Sequence, residues 1–233
     1  MSVVRQIVAI GGGVLVPETE NFKLERYIVD ACGKQKPRVV FVPTASGDDA
    51  SYVARFYESY GRLGVGLEVL RFFRRTPVDL RAYLFEFDIV HVGGGNTRSM
   101  LAVWRQWNFD TMLREAWESG TVLCGSSAGS ICWFEAGVTD SLAGELTPLH
   151  GLGFVRGSNC PHYDAETERR PAYQRLIAGG DIAPGIACDD GAAVHLVGDA
   201  PANVVSARPN ARAYRVERVA GSARETPLDA RVL

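Results

Sequence analysis

The chain has 233 residues, of which 46% are hydrophobic, and this is enough to bury the core of one α/β domain. Its formal net charge of -2 at pH 7, with both signs mixed along the chain, gives no reason to expect nucleic acid as a partner. Its five cysteines include no paired C-x-x-C motif, which argues against a disulfide framework and a structural zinc site.

The sequence also bears on location and cofactors. The N-terminal stretch MSVVRQIVAIGGG lacks a basic segment followed by a long apolar one, so no secretory signal is expected. No apolar run is long enough to span a bilayer, and we expect a soluble, cytoplasmic protein with no membrane partner. No cofactor is expected, and no cluster of His, Cys and carboxylates has the spacing of metal ligands.

Strand and helix patterns alternate along the first half of the chain. Gln6–Ile10 is a short apolar strand closed by three glycines, which do not continue into G-x-G-x-x-G and are expected to let the strand end close to another loop. Further strands are predicted over 39–42, 67–72, 88–92 and 121–124, and helices over 22–32, 48–63, 78–87, 99–107 and 110–117. In the second helix Tyr52, Phe56 and Tyr60 form an aromatic stripe that we expect to be core.

The second half of the chain is less regular. Residues 137–157 are rich in Gly and turns, and a helix is predicted over 172–177. Short strands are predicted over 185–188, 193–197, 203–207 and 213–216, and an antiparallel arrangement is open for those near the C-terminus. The whole pattern predicts an α/β fold, a doubly wound and mostly parallel sheet with helices on both faces, in a single domain spanning residues 1–233.

One stretch, TVLCGSSAGSICWFE over 121–135, carries the pattern G-x-S-x-G directly after an apolar strand. This pattern between a strand and a helix is typical of a nucleophile elbow, in which a strained turn exposes the hydroxyl of the central Ser. Ser127 is therefore the candidate nucleophile, and the apolar residues 131–134 predict the helix behind it. The alternative is a small-residue turn that only connects a strand to a helix.

A second glycine turn, Gly-Gly-Gly-Asn-Thr over 93–97, also follows a strand. In parallel sheets the site lies at the carboxyl ends of the strands, so this turn and Ser127 are expected to face one crevice. The N–H groups of Ala128 and of Gly95, in the Gly94-Gly95 turn, are the predicted oxyanion hole. Alternatively, these glycines only form a tight strand exit.

A Ser nucleophile needs a base. The chain has four histidines, of which His91 and His195 lie in apolar strands and are expected to be structural, while His150 fits a turn. His162 follows Pro161 in a loop and is the best candidate base.

In combination and in order, strand-Gly-Gly-Gly-Asn-Thr, Gly-x-Ser-Ala-Gly, Asn-x-Pro-His and an acidic pair before Gly resemble the peptidase E family of serine dipeptidases. That family is related to cyanophycinases and shares a fold with class I glutamine amidotransferases. The resemblance covers residues 6–216. It implies a class I glutamine amidotransferase-like fold and hydrolysis of short peptides with an N-terminal Asp through an acyl-enzyme, with Ser127 as nucleophile and His162 as base.

The resemblance does not decide which acidic residue completes the triad. Asp190 matches the acidic residue after the short late strand, where relatives often have Glu, and is preferred. Asp140, after the elbow helix, matches another acid proposed for peptidase E and is the alternative. Asp189 is the nearest rival of Asp190 and could instead be a solvated turn residue.

An N-terminal Asp needs a cation for its side chain and an acceptor for its amine. Arg can bind a carboxylate bidentately, although an Arg in a sequence is more often a solvated surface residue. The substrate-binding candidates are Arg98, Arg169 and Arg170, with Asn159 of the Asn-x-Pro-His motif, and Asp164 or Glu166 for the amine.

Other functions remain open at this point. An α/β-hydrolase esterase would need Asp190 to act with His195, only five residues away on a strand, which is poor geometry. A glutamine amidotransferase would carry Cys at the elbow, where this chain has Ser127. A cyanophycinase-like or isoaspartyl peptidase and a non-catalytic binding member of the fold are the alternatives. The expected partner is a small peptide substrate, and a homo-oligomer is open.

Overall fold

The computed structural model describes residues 3–16, 22–198 and 200–233, which form two β-sheets with helices packed against them. The strands are β1 (Gln6–Ile10), β2 (Arg38–Val42), β3 (Gly66–Val69), β4 (Ile89–Val92), β5 (Val122–Ser126), β6 (Phe134–Thr139), β7 (Thr147–His150), β8 (Val155–Cys160), β9 (Gly185–Cys188), β10 (Ala192–Val197), β11 (Ala200–Ser206), β12 (Ala213–Val219), β13 (Ser222–Leu228) and β14 (Arg231–Val232). The helices are α1 (Lys23–Cys32), α2 (Ala50–Gly61), α3 (Leu80–Leu84), α4 (Thr97–Gln106), α5 (Phe109–Glu118), α6 (Ala128–Ile131) and α7 (Arg169–Gly179), and a short 3₁₀ turn covers Thr44–Ser46.

The larger sheet has eight strands in the order β14-β11-β10-β1-β5-β4-β2-β3. The five strands from β1 to β3 in this order are parallel, and β10 joins antiparallel to both β1 and β11. This arrangement confirms the predicted α/β fold with a mostly parallel sheet and antiparallel strands near the C-terminus. It also follows from the sequence, because strands that alternate with helices return to the same edge of a sheet only in parallel.

Successive residues of β1 point to opposite faces of the larger sheet, and both faces are buried. Ile7 packs in one apolar cluster with Trp104 of α4 and Leu113 of α5. Val8 packs in the other cluster with Ile28 of α1 and Phe56 of α2. Because each face carries helices, the strands are apolar throughout and not alternating in polarity, as the sequence indicates.

The second sheet was not foreseen from the sequence. It has six strands in the order β13-β12-β9-β8-β6-β7. One face contributes Phe134, Val155 and Ile186 to the apolar cluster beneath the larger sheet. The other face is covered by α7 through Tyr173 and Ile177. The sheet therefore extends the core on one side of the doubly wound unit.

One local expectation was wrong, and one segment contains strands that the sequence did not predict. The predicted helix over 131–134 is instead the four-residue helix α6, after which the chain enters β6 at Phe134. An uninterrupted apolar run does not distinguish a helix from a buried strand, and here Trp133 and Phe134 are fully buried. The turn-rich segment 137–157 contains the end of β6, all of β7 and the start of β8. Its strand signal is weak because glycine is required there: a Cβ atom on Gly137 would lie 2.6 Å from Ile131.

Several chain segments meet at the carboxyl ends of β1, β4 and β5. The loop after β1 approaches the loop after β9, since a Cβ atom on Gly11 would lie 2.6 Å from the carbonyl oxygen of Cys188. The glycines after β1 therefore allow two loops to meet, as expected. Within the described ranges, no helix has both the length and the apolar character needed to cross a bilayer.

Candidate active site

The chain turns sharply at Ser127, between β5 and α6. Ser127 has φ 56° and ψ -117°, a conformation that a residue with a side chain keeps only when its surroundings hold it. A Cβ atom on Gly125 would lie 2.6 Å from the carbonyl oxygens of Val92 and Gly129, so glycine is needed for β4 and α6 to pack this closely. The G-x-S-x-G stretch thus forms the strand-turn-helix that its sequence predicts.

His162 and Asp190 lie side by side in the loops that follow β8 and β9. The imidazole Nδ1 of His162 is 2.7 Å from the carboxylate Oδ1 of Asp190, and the two side chains are 19% and 30% exposed. The main-chain N–H of His162 donates to the carbonyl of Gly11 at 3.1 Å, and that of Asp190 donates to the carboxylate of Asp164 at 2.8 Å. These contacts give the imidazole the partner that a general base needs to keep its orientation.

Gly12 leaves the space that the His162 and Asp190 side chains occupy. A Cβ atom at this position would overlap Oδ1 of Asp190 and would lie 2.7 Å from Nδ1 of His162. A larger residue would therefore displace the pair. The strand-closing glycines of β1 are thus part of the site, which their position in the sequence alone does not reveal.

The two other acidic candidates lie elsewhere. The Asp140 side chain is 63% exposed, and its carboxylate is 3.5 Å from the guanidinium of Arg169. Asp189 is buried and accepts the N–H of Arg212 at 2.9 Å, and burial raises the pKa of this carboxyl group. Of the three acids proposed from the sequence, Asp190 is the one that the structure brings to His162.

One cavity of about 360 Å³ brings these segments together. It lies at the carboxyl ends of β1, β4 and β5, the edge predicted from the parallel sheet. Its lining residues come from the loop after β1, from α2, from the glycine turn and elbow, and from the loop after β8: Gly12, Gly13, Val14, Leu15, Val16, Tyr52, Arg55, Gly94, Ser126, Ser127 and His162.

The two candidate glycines of the oxyanion hole differ in their contacts. The N–H of Gly94 donates to the Tyr52 hydroxyl at 3.0 Å, and a Cβ atom on Gly94 would lie 3.7 Å from Oγ of Ser127. Gly95 has φ 134°, and a Cβ atom there would lie 2.8 Å from the nitrogen of Ser46. The N–H of Ala128 is the first of helix α6, so it has no partner within that helix.

Two substrate-binding candidates are structural, contrary to expectation. Asn159 is fully buried, where its Oδ1 accepts from the Ser130 hydroxyl at 2.9 Å and its Nδ2 donates to the carbonyl of Ile186 at 3.2 Å. Arg169 is 2% exposed and donates to the carbonyl of Val138 at 2.8 Å. Buried polar groups need such partners, so neither side chain is available to a substrate.

The other sequence-derived substrate candidates do not line the cavity either. Glu166 accepts from Arg169 at 2.6 Å, and Asp164 pairs with Arg208. Arg170 pairs with Glu225 and lies over the rings of Tyr163 and Tyr214. Arg98 is exposed at the start of α4, where its main-chain N–H donates to the Ser141 hydroxyl at 3.2 Å.

Tyr52 and Arg55 are cavity residues that sequence reasoning missed. Phe56 and Tyr60, the rest of the aromatic stripe on α2, are fully buried as expected, but Tyr52 is half-buried and its hydroxyl reaches Gly94. The sequence held one indication of this role. Helix α2 follows the carboxyl end of β2, where the site lies, and residues three apart such as Tyr52 and Arg55 share one face of a helix.

Metal ligation and thiol chemistry find no support in the described ranges. Within them, no group of three or more His, Cys, Asp or Glu side chains could hold a metal ion. The five cysteines are free thiols, four of them buried. Burial raises the pKa of Cys160 to about 12, which keeps that thiol protonated and unreactive.

Comparison with known proteins gives the family. The pattern that describes peptidase family S51 matches residues 7–204 of this chain. A Bacillus subtilis (strain 168) protein described as the uncharacterized peptidase YgaJ is 47% identical over 229 residues, which cover 98% of this chain and 99% of that protein.

Two crystal structures share the fold at 17% sequence identity. A peptidase from an acI-B1 actinobacterium superposes with a TM-score of 0.73, covering 97% of this chain and 95% of that one. A putative peptidase E protein from Listeria monocytogenes EGD-e superposes with a TM-score of 0.61, covering 97% and 100%. The family pattern and the Bacillus subtilis relative, together with the shared fold, confirm the predicted resemblance to the peptidase E family. The chain belongs to peptidase family S51 and is a serine-type peptidase.

Proposed function

We propose that this chain is a dipeptidase that hydrolyses short peptides with an N-terminal Asp, using Ser127, His162 and Asp190. The observation that carries the proposal is the 2.7 Å hydrogen bond between His162 and Asp190 at a cavity that Ser127 also lines. A strained Ser, an imidazole and a carboxylate that orients it are the parts that acyl transfer to a hydroxyl requires.

In the proposed mechanism, Oγ of Ser127 attacks the scissile carbonyl while His162 takes its proton. The N–H groups of Gly95 and Ala128 stabilise the oxyanion. The assignment of Gly95 is supported by the contact that occupies the neighbouring N–H, which donates to Tyr52. His162 then protonates the leaving amine, and an acyl-enzyme on Ser127 remains. Water attacks this ester with His162 again as base, which releases the acid and restores the Ser hydroxyl.

The size of the cavity supports a short substrate. Ligand pockets commonly enclose about 300–1,000 Å³. The cavity at Ser127 encloses about 360 Å³, near the low end of that range. A dipeptide is therefore a better match than a long unfolded chain, for which an extended groove would be expected.

The test is a comparison of kcat/KM for Asp-Leu, Asn-Leu and Ala-Leu, with β-aspartyl-Leu as a fourth substrate. Asp-Leu should exceed Asn-Leu by about 30-fold or more, because an amide cannot replace the carboxylate in a charged pair. Equal rates on the first three substrates would leave a serine peptidase but remove the aspartyl preference. A preference for β-aspartyl-Leu would instead favour an isoaspartyl or cyanophycinase-like peptidase.

A further inference from the structure

Arg55 has a defined position in the cavity of Ser127. It lies on α2, three residues after Tyr52, and its guanidinium carbon is 5.1 Å from the centre of the Tyr52 ring. A guanidinium stacked on an aromatic face is held by the ring quadrupole and loses less freedom when it binds a ligand. Arg55 is thus directed by its neighbour and does not move freely in solvent.

Tyr52 is itself anchored to the catalytic turn. Its hydroxyl accepts the N–H of Gly94 at 3.0 Å, and its ring packs edge-to-face against Phe41 at 5.1 Å between centroids. Gly94 in turn contacts Ser127, since a Cβ atom on it would lie 3.1 Å from Cβ of Ser127. A chain of packed contacts therefore connects the guanidinium of Arg55 to the proposed nucleophile.

The charge of Arg55 has no ion-pair partner among the residues that the structure describes. It acts on the exposed carboxylate of Asp49 without forming a salt bridge, whereas Arg169, Arg170 and Arg208 each form one. The described cavity lining contains no Asp or Glu, and Arg55 is its only Lys or Arg. A cation at a partly dehydrated cavity without an anion favours an anionic ligand.

We infer that Arg55 binds the side-chain carboxylate of the substrate's N-terminal Asp. This rests on the proposed function, since it assigns the recognition of that substrate to a residue. Of the arginines considered, the three expected from the sequence lie outside the cavity, and Arg55 is inside it. Its fork of N–H donors matches a carboxylate in two parallel hydrogen bonds, which an amide cannot accept in the same way.

The experiment measures kcat/KM for Asp-Leu and Asn-Leu with the wild type, Arg55→Gln and Arg55→Lys. The matched control is Arg62→Gln, which removes an exposed arginine at the end of the same helix, outside the cavity. Arg55→Gln should lower the Asp-Leu to Asn-Leu ratio by about 30-fold, mainly by raising KM for Asp-Leu. Arg55→Lys should keep part of the ratio, because it retains the charge but not the fork. Arg62→Gln should keep all of it.

The outcomes separate this inference from the proposed function. If the wild type shows no preference for Asp-Leu, both fall. If the wild type shows it and Arg55→Gln retains it, only the inference falls. An equal loss on both substrates would mean that Arg55 binds the C-terminal carboxylate that they share, and would also overturn it. If Arg55→Gln shows no thermal unfolding transition, the Arg55→Lys variant provides the test. Its ratio of kcat/KM for Asp-Leu to that for Asn-Leu has to be at least about threefold below the wild-type ratio for the inference to stand.

Discussion

Nδ1 of His162 lies 2.7 Å from Oδ1 of Asp190, although 28 residues separate them in the chain. The neighbouring Asp189 points away and receives the N–H of Arg212. Successive residues at a strand exit face opposite sides, so only one member of an acidic pair can reach the imidazole. Asp190 is therefore the proposed orienting acid, and its partner Asp189 holds the loop before β12.

Replacement of this acid should be far more damaging than replacement of its alternative. We expect Asp190→Asn to lower kcat by about 10³- to 10⁴-fold, because the carboxylate fixes the tautomer of His162 and stabilises its cation. Asp140→Asn should have a far smaller effect, since Asp140 is exposed and only pairs with Arg169 at 3.5 Å. Steady-state kinetics on Asp-Leu decides, and the reverse ranking would transfer the role to Asp140.

The strain at Ser127 predicts opposite effects on activity and stability. Both Ser127→Ala and Ser127→Gly should lower kcat by about 10⁴- to 10⁶-fold, because the nucleophile is lost. Ser127→Gly should be more stable than Ser127→Ala by about 1 kcal/mol, since glycine adopts φ 56° without a Cβ penalty.

A fluorophosphonate probe and thermal melts measure the two effects of the Ser127 variants. The probe should label the wild type and neither variant. Retention of more than about a tenth of the activity in either variant would remove Ser127 from the mechanism. Equal melting temperatures for the two variants would argue against backbone strain at this turn.

Gly12 should tolerate no side chain. Gly12→Ala places a methyl group where His162 and Asp190 meet, and we expect kcat to fall by about 10²-fold or more through loss of that alignment. The control is Gly61→Ala in the last turn of α2, where a Cβ atom meets nothing within 4 Å. That change should leave kcat unaltered and stabilise the fold by about 0.5–1 kcal/mol. Equal activity of both variants would contradict the packing at Gly12.

Buried His91 should make the protein sensitive to acid. Burial lowers the pKa of His91 from 6.5 to about 3, so the folded state keeps this imidazole neutral while an unfolded chain takes up a proton. The stabilisation is complete above pH 6.5 and is lost as the pH falls toward 3, at about 1.4 kcal/mol per pH unit.

Two histidine variants test this pH dependence, one at the buried position 91 and a control at the exposed position 150. His91→Asn keeps a partner for the Tyr60 hydroxyl, which lies 2.8 Å from Nδ1, and should flatten the dependence of the unfolding free energy on pH. His150→Gln, at an exposed position, should leave it unchanged. Urea unfolding between pH 4 and 7.5 measures both. The same slope in wild type and His91→Asn would exclude His91 as its source.

Much of the site could be predicted because its signals are local. The strand, small-residue turn and Ser of residues 121–129 are contiguous, and the order of the motifs identified the family. The expectation that Ser127 and the glycines after β4 face one crevice needed only the rule that parallel strands share a carboxyl edge. His162 followed from elimination among four histidines.

The tertiary structure decided what depends on contacts between distant segments. The family resemblance already favoured Asp190 over Asp140 and Asp189, and the meeting of the loops after β8 and β9 is what brings the Asp190 carboxylate to His162. Arg169 was a plausible ligand in sequence, but folding buries it against Val138. Nothing in the sequence singled out Arg55. It lines the cavity because the order of the strands in the larger sheet places α2 beside it, and that order cannot be read from the sequence around Arg55.

By itself, then, the sequence determined the α/β class, the family and the elbow with its Ser, since periodicity and turn chemistry are read within about ten residues. The second sheet, the contact between His162 and Asp190 and the position of Arg55 in the cavity were decided only by tertiary structure. The second sheet is fixed by the burial of Phe134, Val155 and Ile186 beneath the larger sheet. Helix α2, which carries Arg55, is fixed on the other face of the larger sheet by the burial of Phe56 and Tyr60. That packing brings together side chains whose separation along the chain carries no local signal.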